Sequence, residues 1–432
     1  MASWGLGCGT GGTEDSTSAD PGAVAVQAQV AGVPDTATAL ALRTQGAEGL
    51  RRALERYDGA DRTNDPQAWE RFVDTVAGAR DTSTARLFWE TDLDRAKAAA
   101  ERLGLPILSL RMLGDLRDEL SCANSRFFRT TLYADPEVSK TLREEFVLHW
   151  SSERAVPVVE IPFGDGRSIK TTTTGNSIHY LLDAEGTVLD AAPGLYSPDG
   201  FSRVLGEMRT LAEELRESGD SGGMVLRAHH KRAGDEGDAA VARWLAEYGS
   251  SQAAEVLASS RGLFASSAPV PAIDAQVRTK SKAVIETPTL RALGARQAPA
   301  VARERALDQL FERLTELGTV EVSLSKPTQA LMLRDRPQLP GESASDHEAR
   351  LTAMLQRFQS TVATDELKNE YDLRISLHRW LSEANVDRSF DAFNERVYRE
   401  LFLTPASDPW LGLLDNTSYD GLVEAGISGM PG

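Results

Sequence analysis

The chain has 432 residues, 41% of them hydrophobic and 26% charged, the balance of a soluble protein with more than one packed unit. Acidic residues outnumber basic ones 64 to 47, and the net charge of -17 repels phosphate backbones and argues against nucleic acid as a partner. Two cysteines, Cys8 and Cys122, are too few for a disulfide framework, and no apolar run is long enough for a transmembrane segment.

Residues 1–38 are small, polar and proline-containing, and read as a disordered tether. The start has no basic region and no apolar region, so as written it is not a signal peptide and the chain is expected in the cytoplasm. Leu6-Gly7-Cys8-Gly9 nevertheless resembles the end of a bacterial lipoprotein signal, with the leucine one place too close to the cysteine. A longer start would make the chain a cell-envelope lipoprotein with a lipid anchor at Cys8.

Residues 39–85 form a helical prelude. Leu50, Leu54 and Tyr57 share one face, as do Trp69, Phe72, Val73 and Val76. Residues 86–218 then alternate helix and strand. Thr91 is placed to cap a helix with the stripe Leu93, Ala96, Ala100 and Leu103, which Gly104 stops. Ile107 to Met112 is a short apolar strand, and Ser121 to Leu132 reads as helix. Asp135-Pro136-Glu137 opens another helix, with Asp as cap and Pro in the first helical position. Phe146 to Trp150 is a strand. Gly164-Asp165-Gly166 and Asp183-Ala184-Glu185-Gly186 are turns inside two hairpins. Ser197-Pro198-Asp199 opens a long helix with Phe201, Val204, Leu205, Met208, Leu211 and Leu215 on one side. This order gives an α/β sandwich with a mixed sheet.

Residues 219–237 are polar and glycine-rich and read as a linker, and residues 238–432 as a mainly α-helical domain. Its helical stripes include Leu307, Leu310, Phe311 and Leu314, then Leu351, Met354, Leu355, Phe358 and Val362, and finally Phe390, Phe393, Val397 and Leu401. Thr319 to Leu324 is a candidate lone strand, and Asp408-Pro409-Trp410-Leu411-Gly412 a proline-turned plug against the helices.

Residues 88–205 resemble the thioredoxin-like superfamily. The resemblance is carried by Ala96-Lys97 followed by Leu105-Pro106-Ile107-Leu108, and by Cys122-Ala123-Asn124-Ser125 at the place of a CxxC motif. Asp135-Pro136-Glu137-Val138 with Leu142 and Phe146-Val147, and Ile178 to Gly186, complete it. "SCANSRFF", "TGNSIHY" and a final "DPWLGL" are similar to an uncharacterised bacterial subgroup. The resemblance implies a thioredoxin-like sandwich with Cys122 at a helix start. Two departures stand out. Ser125 replaces the second cysteine, and Gly175-Asn176-Ser177 stands where the family has a cis-proline.

Cys122 is the candidate catalytic residue, with Ser125 as its hydrogen-bonding neighbour. A helix start favours a thiolate. Arg126 and Arg129, at i+4 and i+7, are expected to add positive potential, and Asn176 and Ser177 to support the site across the missing proline. Without a resolving cysteine, Cys122 can form a mixed disulfide with a protein or small thiol but cannot release it. The alternative is a small buried residue in a non-enzymatic scaffold or envelope-interaction protein that keeps the fold without the chemistry. The sequence does not decide whether the chain is an enzyme.

Gly219-Asp220-Ser221-Gly222-Gly223 spells a serine-protease nucleophile motif, but its upstream histidines, His149 and His179, lie in expected strands, so Ser221 reads as a coincidence. His229-His230 with Lys231 and Arg232 reads as a solvated turn, and His378 as structural. With no HExxH, zinc-type cysteine set, P-loop or GxGxxG, neither cofactor nor metal is expected.

Overall fold

A computed structural model describes residues 32–172, 175–219, 223–249, 300–334 and 336–408. Cys8, Ser221 and the plug from Pro409 onward lie outside the described residues.

The prelude folds as three amphipathic helices, α1 (Thr36–Arg43), α2 (Ala47–Gly59) and α3 (Pro66–Ala77), followed by the single turn α4 (Thr82–Ala85). Asp65 caps α3 by accepting from the Ala68 N–H at 2.9 Å. Leu42, Leu50, Leu54, Trp69, Phe72 and Val76 close a small core of their own. Arg43 ties this core to the segment before α5, donating to the Val76 and Trp89 carbonyls at 3.0 Å each.

Helix α5 (Leu93–Leu103) leads through Gly104, at φ 67°, to strand β1 (Ile107–Leu113). Its cap is Asp92, which accepts from Arg95 N–H at 2.9 Å, one residue beyond the expected Thr91. Helix α6 (Ala123–Phe127) runs directly into a π-helical turn (Phe128–Leu132). Then come α7 (Pro136–Glu145), capped by Asp135 as expected, and β2 (Val147–Arg154). A separate antiparallel ribbon comes next, β3 (Val158–Pro162) with β4 (Ser168–Thr172). The hairpin β5 (Ser177–Leu182) and β6 (Val188–Pro193) leads into α8 (Pro198–Ser218), whose first turn is capped by Ser197.

The main sheet has the order β2-β1-β5-β6. β1 pairs parallel with β2 and antiparallel with β5, and β5 antiparallel with β6. Alternate side chains of each strand enter opposite cores. Leu108, Leu110, Met112, Leu148, Trp150 and Leu181 face α7 and α8, against Val138, Leu142, Phe201, Val204 and Leu205. Ile107, Val147, Ile178, Tyr180, Leu182 and Val188 face the other way.

That second face is covered by α5 and by the C-terminal third of the chain. Beyond α8 lie α9 (Met224–Tyr248), α10 (Ala300–Glu316), α11 (Lys326–Leu333) and α12 (Ala344–Lys368). α12 continues through a π-helical turn (Asn369–Arg374) into α13 (Ile375–Ser382). Last come α14 (Phe390–Arg396) and another π-helical turn (Val397–Leu401). Leu377, Trp380, Leu381, Phe390, Phe393, Tyr398, Leu401 and Phe402 close the second core against the sheet. Val322, Val362 and Ala363 join the first.

The fold corrects three expectations. Residues 224–237 of the expected linker belong to α9, in which Leu226, His230 and Gly234 are buried. The boundary between residues 86–218 and 238–432 does not divide the hydrophobic cores. Thr319 to Leu324 has no regular structure and pairs with no strand among the described residues; instead Val322 is buried, and its carbonyl accepts from Gln359 at 2.6 Å.

Candidate functional site

Cys122 is brought to the front of α6 by the loop after β1. Its backbone stays extended (φ -60°, ψ 162°), and its Sγ accepts from the Ser125 N–H at 3.4 Å, so the thiol is itself the helix cap. Across from it runs the segment that enters β5. A Cβ added to Gly175 would stand 2.7 Å from Cys122 Cβ and 3.2 Å from Sγ, so only a glycine lets the two backbones approach this closely. Asn124 donates to Ser177 Oγ at 2.7 Å, a further stitch across the same gap.

Asn176 is held from three sides. Its carbonyl accepts from Leu113 N–H at 3.1 Å and from the Tyr398 hydroxyl at 3.3 Å. Its side-chain amide donates to Thr404 Oγ1 at 2.9 Å, so the end of the C-terminal helices positions the segment facing Cys122.

Of the expected site residues, Cys122, Ser125, Asn176 and Ser177 therefore come together, and all four are buried. Four polar atoms in this cluster are buried with no hydrogen-bond partner among the described residues: Ser121 Oγ, Asn124 Oδ1, Ser125 Oγ and Asn176 Oδ1. Ser121 and Asn124 were not expected at the site. They flank Cys122 in sequence, so position alone was the available signal.

The arginines divide. Arg126 donates to Thr172 Oγ1 at 3.4 Å, at the edge of the cluster. Arg129 does not serve the thiol. Its guanidinium is buried against Asp81, at 2.9 Å, and donates to the Asp118 carbonyl at 3.3 Å. The adjacent carboxylate matches its charge, which corrects the expectation that it adds positive potential at Cys122.

Two histidines take structural places in the sheet. His149 Nδ1 lies 2.8 Å from Ser109 Oγ, and burial, reinforced by the Arg111 guanidinium, pushes its pKa down to about 4. His179 Nε2 lies 2.6 Å from the Tyr133 hydroxyl, and burial pushes its pKa down to about 3. Neither faces a serine as part of a protease triad among the described residues.

A second cluster is built from three other elements. Asp190 of β6, His230 of α9 and His378 of α13 are all buried, with donor atoms within 4.8 Å of one another. This corrects the reading of His230 as part of a solvated turn. The three residues lie far apart in the chain, so no local spacing pattern exposes the group.

Among the described residues no helix is long and apolar enough to cross a membrane. No family model, curated protein or solved structure matches this chain.

Proposed function

We propose that this chain is a thioredoxin-like protein with a single-thiol site at Cys122, which takes a partner sulfur into a mixed disulfide rather than running a dithiol cycle. Support for the sandwich comes from the order β2-β1-β5-β6, with β1 parallel to β2 and antiparallel to β5. Cys122 comes after β1 at a helix start, and Gly175-Asn176 faces it in the place where the superfamily carries its cis-proline.

The observation that carries the thiol reading is the set of four unpaired polar atoms around Cys122. A buried polar atom left unpaired costs about 1–3 kcal/mol. Cys122 itself packs in the first hydrophobic core, and a cysteine kept there only as filler needs no unpaired polar atoms on the residues beside it. Unpaired hydroxyl and amide oxygens on the residues flanking and facing Cys122 suit a polar guest, such as the peptide-like backbone of a thiol-bearing ligand.

In the proposed step the Cys122 thiolate attacks one sulfur of a disulfide. A new S–S bond forms, the old one breaks, and the departing sulfur leaves as thiolate and takes a proton. Ser125 cannot complete the second exchange.

A second reading has its own support. Cys122 is fully buried, which favours a scaffold that keeps the fold and uses the thiol as a cap. Glutathione disulfide separates the two. On a Cys8→Ser background, folded protein at pH 7.5 is expected to gain one glutathione at Cys122, located by peptide mass spectrometry. Ser125→Cys is expected to release it with formation of an internal disulfide. Modification that occurs only after denaturation would overturn the thiol reading and leave the scaffold.

A further inference from the structure

We propose that Asp190, His230 and His378 form a metal site for a divalent ion of the zinc class. The three side chains come from β6, α9 and α13, and their donor atoms lie within 4.8 Å of one another. All three are buried, His230 and Asp190 almost completely. Two imidazole nitrogens and one carboxylate oxygen are a usual three-ligand set for zinc, with the fourth position left to solvent.

The hydrogen bonds around His230 set it up as a ligand. His230 Nε2 lies 2.8 Å from the Leu189 carbonyl, which can only accept, so this nitrogen carries the proton. His230 Nδ1 therefore presents a lone pair, and it points at His378 Nδ1, 2.8 Å away. A ring nitrogen held by a backbone carbonyl, with the other turned inward, is the outer-shell arrangement of metal-bound histidine. Without an ion, one proton bridges the two Nδ1 atoms. Tetrahedral zinc needs them roughly 3.3 Å apart, given Zn–N distances near 2.0–2.1 Å. The ion thus replaces the bridging proton, which shifts to His378 Nε2, and the rings part by about half an ångström.

The surrounding charge accepts a cation. Asp190 Oδ2 accepts from Arg374 at 2.9 Å, which would otherwise compete for the carboxylate. Arg374 is shared, however, with Glu207 at 2.9 Å and Glu370 at 3.1 Å. Arg203 is the second cation of the group, 2.9 Å from Glu207 and 3.4 Å from Glu370. Three carboxylates face two guanidiniums, which leaves one negative charge in surplus.

The test uses the full-length chain, stripped with chelator and dialysed. Zinc titration is expected to give one tight equivalent, weakened more than about 100-fold in His378→Gln and in Asp190→Asn but unchanged in His229→Gln. Folding of each variant is checked by circular dichroism. Cobalt gives an independent readout on wild type: visible bands of a tetrahedral nitrogen–oxygen site, without the near-ultraviolet band of a thiolate ligand. Absence of tight zinc binding to wild type would overturn the site. So would binding unaffected in both ligand variants, or a thiolate band implicating Cys122.

Discussion

Arg129 illustrates how a residue in a suggestive place can have a different task. From its spacing it belongs on the same side of the helix as the thiol, yet its guanidinium is buried against Asp81 and the Asp118 carbonyl. Asp81 itself has φ 59°, a left-handed conformation that costs energy for a residue with a side chain. The ion pair and the contact of Arg334 with the same carboxylate, at 3.3 Å, hold it there. Removing one partner of a buried pair costs about 3–5 kcal/mol when the other charge is stranded, but Asp81 keeps the half-exposed Arg334. Arg129→Met is therefore expected to lose somewhat less than that in urea titrations while leaving the pH profile of Cys122 alkylation unchanged. A shifted profile with little loss of stability would return Arg129 to the thiol site.

At the scale of elements, the sheet carries an acid-sensitive device in its two buried histidines, on the strands flanking β1. His149 is pushed down to about 4 and His179 to about 3, in both cases mainly by burial. An unfolded histidine titrates near 6.5, so between that pH and the folded values the unfolded chain binds more protons. Stability therefore rises with pH through this window and is lost as pH falls below about 6.5. Asp74, which burial raises to about 7, and Glu366, which burial also raises, work in the opposite sense, while His230 and His378, lowered by burial, add to the histidine effect. His149→Gln is expected to flatten the urea-midpoint profile between pH 7 and 4, by roughly 3 kcal/mol at the acid end. An unaltered profile in that variant would mean His149 is protonated in the folded protein. The strands themselves were legible, because short β-rich runs and the turn residues between them are local signals: β5, β6 and their turn fall where the pattern puts them. So were the caps Asp135 and Ser197. The first half of α9 was not legible, because its buried positions, Leu226, His230 and Gly234, offer one apolar side chain among charged neighbours. A Cβ on Gly237 would meet Ile375 at 2.7 Å, so a glycine that reads as linker is a point of close helix contact. The place of Cys122 after β1, at a helix start, was legible from its position in the sequence. The unpaired atoms around it, and the meeting of His230 with His378, depend on contacts across the fold that no spacing encodes.

For the whole molecule, the sheet decides what counts as a domain. The sequence divides cleanly after α8, and a fragment of residues 81–218 contains every strand of the main sheet. One face of that sheet keeps most of its cover inside the fragment, losing Val322, Val362 and Ala363. On the other face, α5 supplies little beyond Ala96, Ala99 and Ala100, while the larger side chains come from residues 373–402. Phe390, Phe393, Tyr398 and Phe402 are each nearly or fully buried there. Each such side chain contributes about 1.5–3 kcal/mol when buried, and a domain's net stability is only about 5–15 kcal/mol. Losing four aromatics and their neighbours removes more than that margin. Asn176 would also lose Thr404 and Tyr398, and with them the contacts that hold the segment facing Cys122. The fragment 81–218 is therefore expected to unfold without a cooperative transition and to bind a hydrophobic dye. A longer piece, 81–408, is expected to restore a single sharp transition. Cooperative unfolding of 81–218 with native-like near-ultraviolet circular dichroism would mean that the C-terminal helices dress a finished domain. The expected result would mean that they complete the sheet's core and, through Asn176, the site itself.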